Sequence, residues 1–325
     1  MELYFGHGNM GGLFVEQERW EEAVPSLERS LQVLEALEKL GGSYEQERVE
    51  THSWLRSAHL PQMKFAQAEF HNQQELLGYE ALLEEEPANA RNQLQLVVAN
   101  RGTSSLALIR NDTQAALEYL LPQSARLDQL HAVEPEDTSV IEQQALLLGQ
   151  LTEVRLLREE WGQAGQLAER CQKLSGELLL LNEENVFWST GLNWPCRHTA
   201  ARADFHLGQL DSAQAQLDAY YPALVAEHRA NPDLKGLDRV LVESLVLLGD
   251  IALVQGRKAQ ANEYWQRAKT VVDVELDHTD PRVIASLVGV LNRLNETGRA
   301  RELVEYLYGA NYQHPALLRE TLASR

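Results

Sequence analysis

The 325 residues carry 29 basic against 48 acidic side chains, a formal net charge of -19, which repels phosphate backbones and excludes nucleic acid as the expected partner. Apolar residues make up 44% and charged residues 24%, enough to cover an extended core. The two cysteines, Cys171 and Cys196, are too few for a disulfide framework and lack C-x-x-C spacing, so they read as ordinary core cysteines in a reducing compartment. Apolar stretches such as 178–181 and 245–248 fall far short of the roughly 20 residues that cross a bilayer. The N-terminus has neither the basic segment nor the apolar core of a secretory signal, and the expectation is a cytoplasmic chain that no membrane holds.

Helical periodicity runs nearly end to end, Gly and Pro are sparse, and no Val/Ile/Thr alternation marks a strand. In chain order, a first pair of helices is indicated by Gly11 with Trp20-Glu-Glu-Ala23, a second by Ala68, a third by Asn111-Asp-Thr-Gln-Ala-Ala116, a fourth by Trp161 before Ala164, a fifth by Gly208-Gln-Leu-Asp-Ser-Ala213, a sixth by Ala261, and a seventh by Leu303. Successive anchors lie 45, 48, 48, 49, 48 and 42 residues apart. This regularity predicts seven helical hairpins in one continuous array over residues 1–325, with long helices. Four junctions, Glu86-Pro87, Glu134-Pro135, Asn231-Pro232 and Asp280-Pro281, are expected to start helices with proline at the first helical position.

The clearest single unit is Leu245 to Ala268, and it resembles a tetratricopeptide repeat. In that family helix A carries a large residue and a Gly on one face, and helix B carries Ala, a bulky residue and Ala. Leu245, Gly249, Ala261, Trp265 and Ala268 fill those places in order. The resemblance implies an all-α, right-handed α-solenoid of about seven antiparallel hairpins, in which small residues let helix axes approach to about 8–10 Å. Trp54 to Leu130, with Leu82-Leu-Glu-Glu-Glu-Pro-Ala-Asn-Ala90, and the closing segments Asp280-Pro-Arg282 and Gly309-Ala-Asn-Tyr-Gln-His-Pro315 are similar to long-period repeats found C-terminal to bacterial serine/threonine kinase domains. No Val-Ala-Ile-Lys, His-Arg-Asp or Asp-Phe-Gly element is present, so phosphoryl transfer is not assigned. The start of the chain, almost directly inside a hairpin at Gly8 to Trp20, suggests an excised repeat region.

Chemical motifs are weak. Gly6-His-Gly8-Asn-Met-Gly11 matches G-x-G-x-x-G, but no βαβ pattern follows and Gly11 is needed where helices cross. Cys196 and His198 lie two residues apart and point away from each other on a helix, against a structural metal site; His52 and His59 share a helix face and read as surface or groove residues. No metal, cofactor or catalytic group is assigned. The repeat resemblance implies a concave surface lined by helix A: Arg101, Ser105, Leu108 and Ile109 in the third hairpin, Glu153, Leu156 and Leu157 in the fourth, His198, Arg202, Phe205 and His206 in the fifth, and Glu243, Val246, Asp250 and Leu253 in the sixth. The predicted partner-binding set is Arg101, Leu108, Glu153, Leu156, Trp194, His198, Arg202, Phe205 and His206, with Trp194 closing the aromatic segment 185–194. A protein or peptide bearing acidic groups is the expected partner, and protonation of His198 and His206 near pH 6.5 is expected to strengthen its binding. Two alternatives stand beside this reading: a structural or homo-oligomerisation scaffold using terminal or convex surfaces, and a small-molecule sensor or cryptic enzyme.

Overall fold

A computed structural model describes residues 2–232, 236–272 and 279–323. Among them are fifteen α-helices, one π-helical segment and no strand. No helix is long and apolar enough to cross a membrane. The chain forms two compact units, Met1–Ala107 and Leu108–Arg325. The first holds α1 (Glu2–Glu16), α2 (Trp20–Glu38), α3 (Glu45–His59), α4 (Phe65–Glu85) and most of α5 (Ala90–Ile109). The second holds α6 (Thr113–Val133), α7 (Thr138–Leu157), α8 (Trp161–Leu181), the π-helical segment Phe187–Asn193 running into α9 (Trp194–His206), α10 (Leu210–Ala230), α11 (Gly236–Val254), α12 (Lys258–Val271), α13 (Pro281–Arg293), α14 (Thr297–Gly309) and α15 (Pro315–Ala323). Antiparallel pairs form between α1 and α2 and between α3 and α4 in the first unit. In the second, α7 pairs with α8, α9 with α10, α11 with α12, and α13 with α14. Odd-numbered helices through α13 take the A position of the repeat and even-numbered ones the B position.

The pairs close on a small residue. Every B helix carries alanine as its fourth residue, namely Ala23, Ala68, Ala116, Ala164, Ala213, Ala261 and Ala300, and all seven are buried. The seventh anchor is thus Ala300 rather than Leu303, which is buried one turn further on. The interval from Ala261 shortens to 39 residues, because α12 and α13 have only 14 and 13 residues. Glycines on the A helices complete two crossings. A Cβ on Gly11 would sit 2.5 Å from Leu27 Cγ, and one on Gly249 would strike the Trp265 indole. Trp265 therefore lies directly over Gly249, while Ala261 packs beside them with Ala252. Gly11 lies inside α1, so the G-x-G-x-x-G match is a helix-packing surface and not a phosphate loop.

Each A helix ends in the same turn. A residue two positions before the B helix adopts the left-handed conformation: Glu18, Met63, Asn111, Glu159, Gly208, Gly256 and Asn295, with φ between 53° and 80°. In most of these turns the following amide donates to the carbonyl five residues back, as in Gln209 to Asp204, Arg257 to Ala252 and Glu296 to Leu291, each at 2.8 Å. This closure satisfies carbonyls that a helix end leaves bare. Only Gly208 and Gly256 avoid the Cβ cost of about 1–2 kcal/mol that this conformation carries.

Proline marks the junctions differently from the sequence expectation. Pro281 does occupy the first helical position behind the cap Asp280, whose carboxylate accepts the Arg282 amide at 2.8 Å. Pro87 and Pro135 lie in the turn ahead of the helix, and capping falls to Asn89, which accepts from the Asn92 amide at 3.1 Å, and to Asp137, which accepts from the Ser139 amide at 2.8 Å. Pro232 also lies in a turn, and the residues after it are outside the described set. Cys171 on α8 and Cys196 on α9 are joined as a disulfide with Cα atoms 5.6 Å apart. Burial of both agrees with the sequence reading; their pairing corrects it.

Two glycine substitutions should move stability in opposite directions. Gly249→Ala should cost about 1–3 kcal/mol, because its Cβ would lie 2.3 Å from the buried Trp265 indole. Gly176→Ala, at an open site inside α8, should gain up to about 1 kcal/mol from helix propensity. Denaturant midpoints of the two variants check both signs.

Candidate functional site

In the second unit α7, α9, α11 and α13 pack side by side, and their common face carries charge. On α11, Arg239, Glu243, Val246 and Asp250 recur at helical spacing and are each half-buried among fully buried neighbours. Arg202 on α9 donates to Glu153 on α7 at 2.7 Å. His198 Nε2 lies 3.6 Å from Glu243 on α11, which Arg239 approaches to 3.5 Å. Arg293 on α13 grips Asp250 with two hydrogen bonds of 2.9 Å. Ion pairs thus join α7 to α9 and α11 to α13 across one face, and between α9 and α11 the His198 ring lies beside Glu243. For Arg202, burial opposes the charge, but Glu153 and Glu243 outweigh it and raise the guanidinium pKa above its ordinary value.

The face is occupied. After α14 the chain turns through Asn311, whose φ is 62°, and runs back across it. The Gln313 amide donates to the Ile109 carbonyl at 2.7 Å, at the C-terminal end of α5. Arg319 reaches the carbonyls of Leu156 (3.4 Å) and Leu157, where α7 ends, and lies 3.4 Å from Glu159. A cation there meets the negative end of the helix dipole. Glu320 accepts two bonds of 3.0 Å from Arg293, and its carbonyl accepts Asn292 Nδ2 at 2.9 Å. Tyr312, Pro315 and Leu317 are buried, while Asn311 and Gln313 remain exposed. His314 stacks on Tyr312, ring centroids 5.8 Å apart. Burial lowers the His314 pKa to about 4, against the pull of Glu153 and with the push of Arg282 and Arg202.

The predicted binding residues therefore divide. Glu153 and Arg202 come together on the inner face, paired with each other. Leu108, Leu156, Trp194 and His198 are buried in the fold and present no side chain to a partner, which corrects that part of the expectation. Leu156 packs with Ala164, Ala203 and Trp161 in the seam between helices. His206 stacks face to face on Trp161 at 4.1 Å, with Phe205 edge-on to it at 5.4 Å. Arg101 is half-buried in the first unit. Trp188, in the same aromatic segment as Trp194, donates to Glu142 at 2.9 Å and packs with Ile141 and Leu178. The expected protonation of His198 near pH 6.5 is also overturned: burial, then Arg202, lowers its pKa to about 3, and its Nδ1 pairs with the Tyr220 hydroxyl at 3.2 Å. For His206, desolvation of its covered surface and then Arg202 lower the pKa.

Sequence reasoning missed the whole returning segment, and Arg293 with it. It also missed a polar cluster in the first unit. His52 and His59 are buried rather than surface residues, and His71 joins them: its Nδ1 lies 2.8 Å from that of His52, and its ring stacks on His59 at 5.4 Å. Arg56 donates to the buried Glu75 at 2.8 Å. Both contacts between α3 and α4 bridge 19 residues, a spacing that could have been searched for. Burial lowers the pKa of His52 to about 4 and of His71 to about 3. Among the described residues no group of His, Cys, Asp and Glu is arranged to hold a metal ion.

Buried neutral histidines set a pH dependence. Their folded pKa values lie below the unfolded value of about 6.5, so unfolding takes up protons and stability falls as pH drops from about 6.5 toward the folded values. For His198 the loss between pH 7 and 5 is about 2 kcal/mol by this linkage. Urea midpoints should drop accordingly over that range, and His198→Gln should flatten the slope.

No family model matches the sequence, and no curated protein matches it. Solved structures do match. NprR in complex with its cognate peptide NprX aligns over 95% of this chain and 81% of its own, at 14% identity and a TM-score of 0.53. Rap protein complexed with competence and sporulation factor aligns over 98% of this chain and 80% of its own, at 11% identity and a TM-score of 0.58. At these identities the likeness is one of fold: the chain has the tetratricopeptide-like helical-repeat fold that its anchors predict.

Proposed function

We propose that this chain is a protein- or peptide-binding scaffold, the regulatory repeat region of a bacterial signalling protein, and that it binds on the inner face of its second unit. One observation carries the reading: that face already holds the chain's own residues 311–320, with Tyr312 and Leu317 buried and Glu320 on Arg293. Apolar anchors beside fixed charges are how peptide grooves obtain affinity and orientation. The two solved proteins of like fold are both described with a bound factor, one of them a peptide. An acidic group suits the site because Arg293 serves Asp250 and still has donors for a second carboxylate. The reading is of a binding protein rather than an enzyme.

Selection of a displayed random-peptide library on the purified chain tests this. Enriched peptides should lose at least tenfold in affinity, about 1.4 kcal/mol, on Val246→Glu and on Arg202→Ala, with helicity unchanged by circular dichroism. Binding that ignores both changes would place the site elsewhere. A second reading, self-association, draws on the exposure of Leu3, Met10 and Leu13 along α1. If it holds, sedimentation should show a dimer that Met10→Glu dissociates.

A further inference from the structure

We propose that residues 311–320 are a built-in competitor for the groove, so that the partner is a short helix-forming peptide presenting buried apolar residues followed by a basic–acidic pair, as the chain's own Leu317, Arg319 and Glu320 do. The inference rests on the binding reading above and adds to it the chemistry of the ligand and the means of its control.

A segment that merely capped the last hairpin would touch α13 and α14 and stop there. This one reaches Ile109 at the end of α5 and Leu156 and Leu157 at the end of α7, sequence separations of 163 for Arg319 to Leu156 and 162 for Arg319 to Leu157. It crosses the charged face from its last A helix to its first. Its contacts are also of the kind a separate peptide makes. Buried Tyr312, Pro315 and Leu317 are separated along it by exposed or half-buried positions, and its polar end is read by groups that need no covalent link to it. Backbone carbonyls at a helix C-terminus take Arg319, and the Arg293 guanidinium takes Glu320. Arg319 and Glu320 are only partly buried, so the ends of the segment can be displaced before its apolar centre is uncovered. Arg293 would then exchange one carboxylate for another, keeping its bonds to Asp250, and the buried apolar area would be replaced in kind. Tethering favours the resident segment, since a linked copy competes at an effective concentration of order millimolar.

The test uses the full chain and a fluorescent synthetic peptide with the sequence of residues 310–321. Arg319→Ala with Glu320→Ala should speed hydrogen exchange at amides 312–320 and should bind the free peptide at least tenfold more tightly than the unaltered chain. Adding Arg293→Ala to that variant should remove the gain. Equal peptide affinity with and without the double change would overturn the competition while leaving the groove as a binding site. Faster exchange with no peptide bound by either protein would also overturn it, and the library selection then decides separately whether the groove reading falls. Unchanged exchange in the double variant would show that Arg319 and Glu320 do not hold the segment, which equally ends the inference.

Discussion

The fold depends on how closely an A helix and its B helix can approach one turn into helix B. Alanine there, in each of the six described pairs, is small enough to bring the axes together and apolar enough to be sealed from water. The left-handed turn two residues before helix B fixes the angle at which that alanine meets its partner. Neither device suffices alone: a larger residue would wedge the helices apart, and another turn would rotate a different face inward. With both in place the remaining B-helix positions follow at helical spacing, and residues such as Leu27 and Trp265 fall against helix A. The repeat tolerates wide sequence variation elsewhere because so few positions are constrained.

How much of this could be read from the sequence varies by element. The alanine anchors were legible because a small residue at a fixed interval is a pattern, and six of the seven were found. The seventh was misplaced because the shortened α12 and α13 break the interval. The left-handed turns were legible at Gly256, where residue type advertises the conformation, and hidden at Glu18, Met63 and Glu159, where the surrounding helices impose it. On the candidate site, Glu153 and Arg202 pair with each other across α7 and α9. What could not be read was which side chains the neighbouring helices would cover, so Leu156, Trp194 and His198 were taken for surface. The returning segment was invisible for a plainer reason. Its partners lie on helices far back in the chain, and no periodicity links Arg319 to Leu157.

Net charge and local charge also part company. The chain as a whole carries an excess of acid, yet on the inner face Arg202 is matched by Glu153, Arg239 by Glu243, Arg293 by Asp250 and Glu320, and Arg319 by Glu159. Partially desolvated pairs of this kind stabilise little on balance, since burial costs about as much as pairing returns. Their effect is positional: removing one member leaves its partner buried and uncompensated, so the face resists being re-paired in any other register.

The contact between Arg319 and the end of α7 has a consequence for how the molecule comes into being. Most described contacts in the second unit join helices adjacent in sequence, and such structure can form progressively, each hairpin on the last. The returning segment cannot. The end of α7 that Arg319 meets is synthesised 163 residues earlier, while α13, which supplies Arg293 and Asn292, directly precedes α14 and the segment. It is therefore the last part of the unit to dock during synthesis. For an interval the nascent chain lacks the cover that residues 311–320 give its inner face in the finished fold.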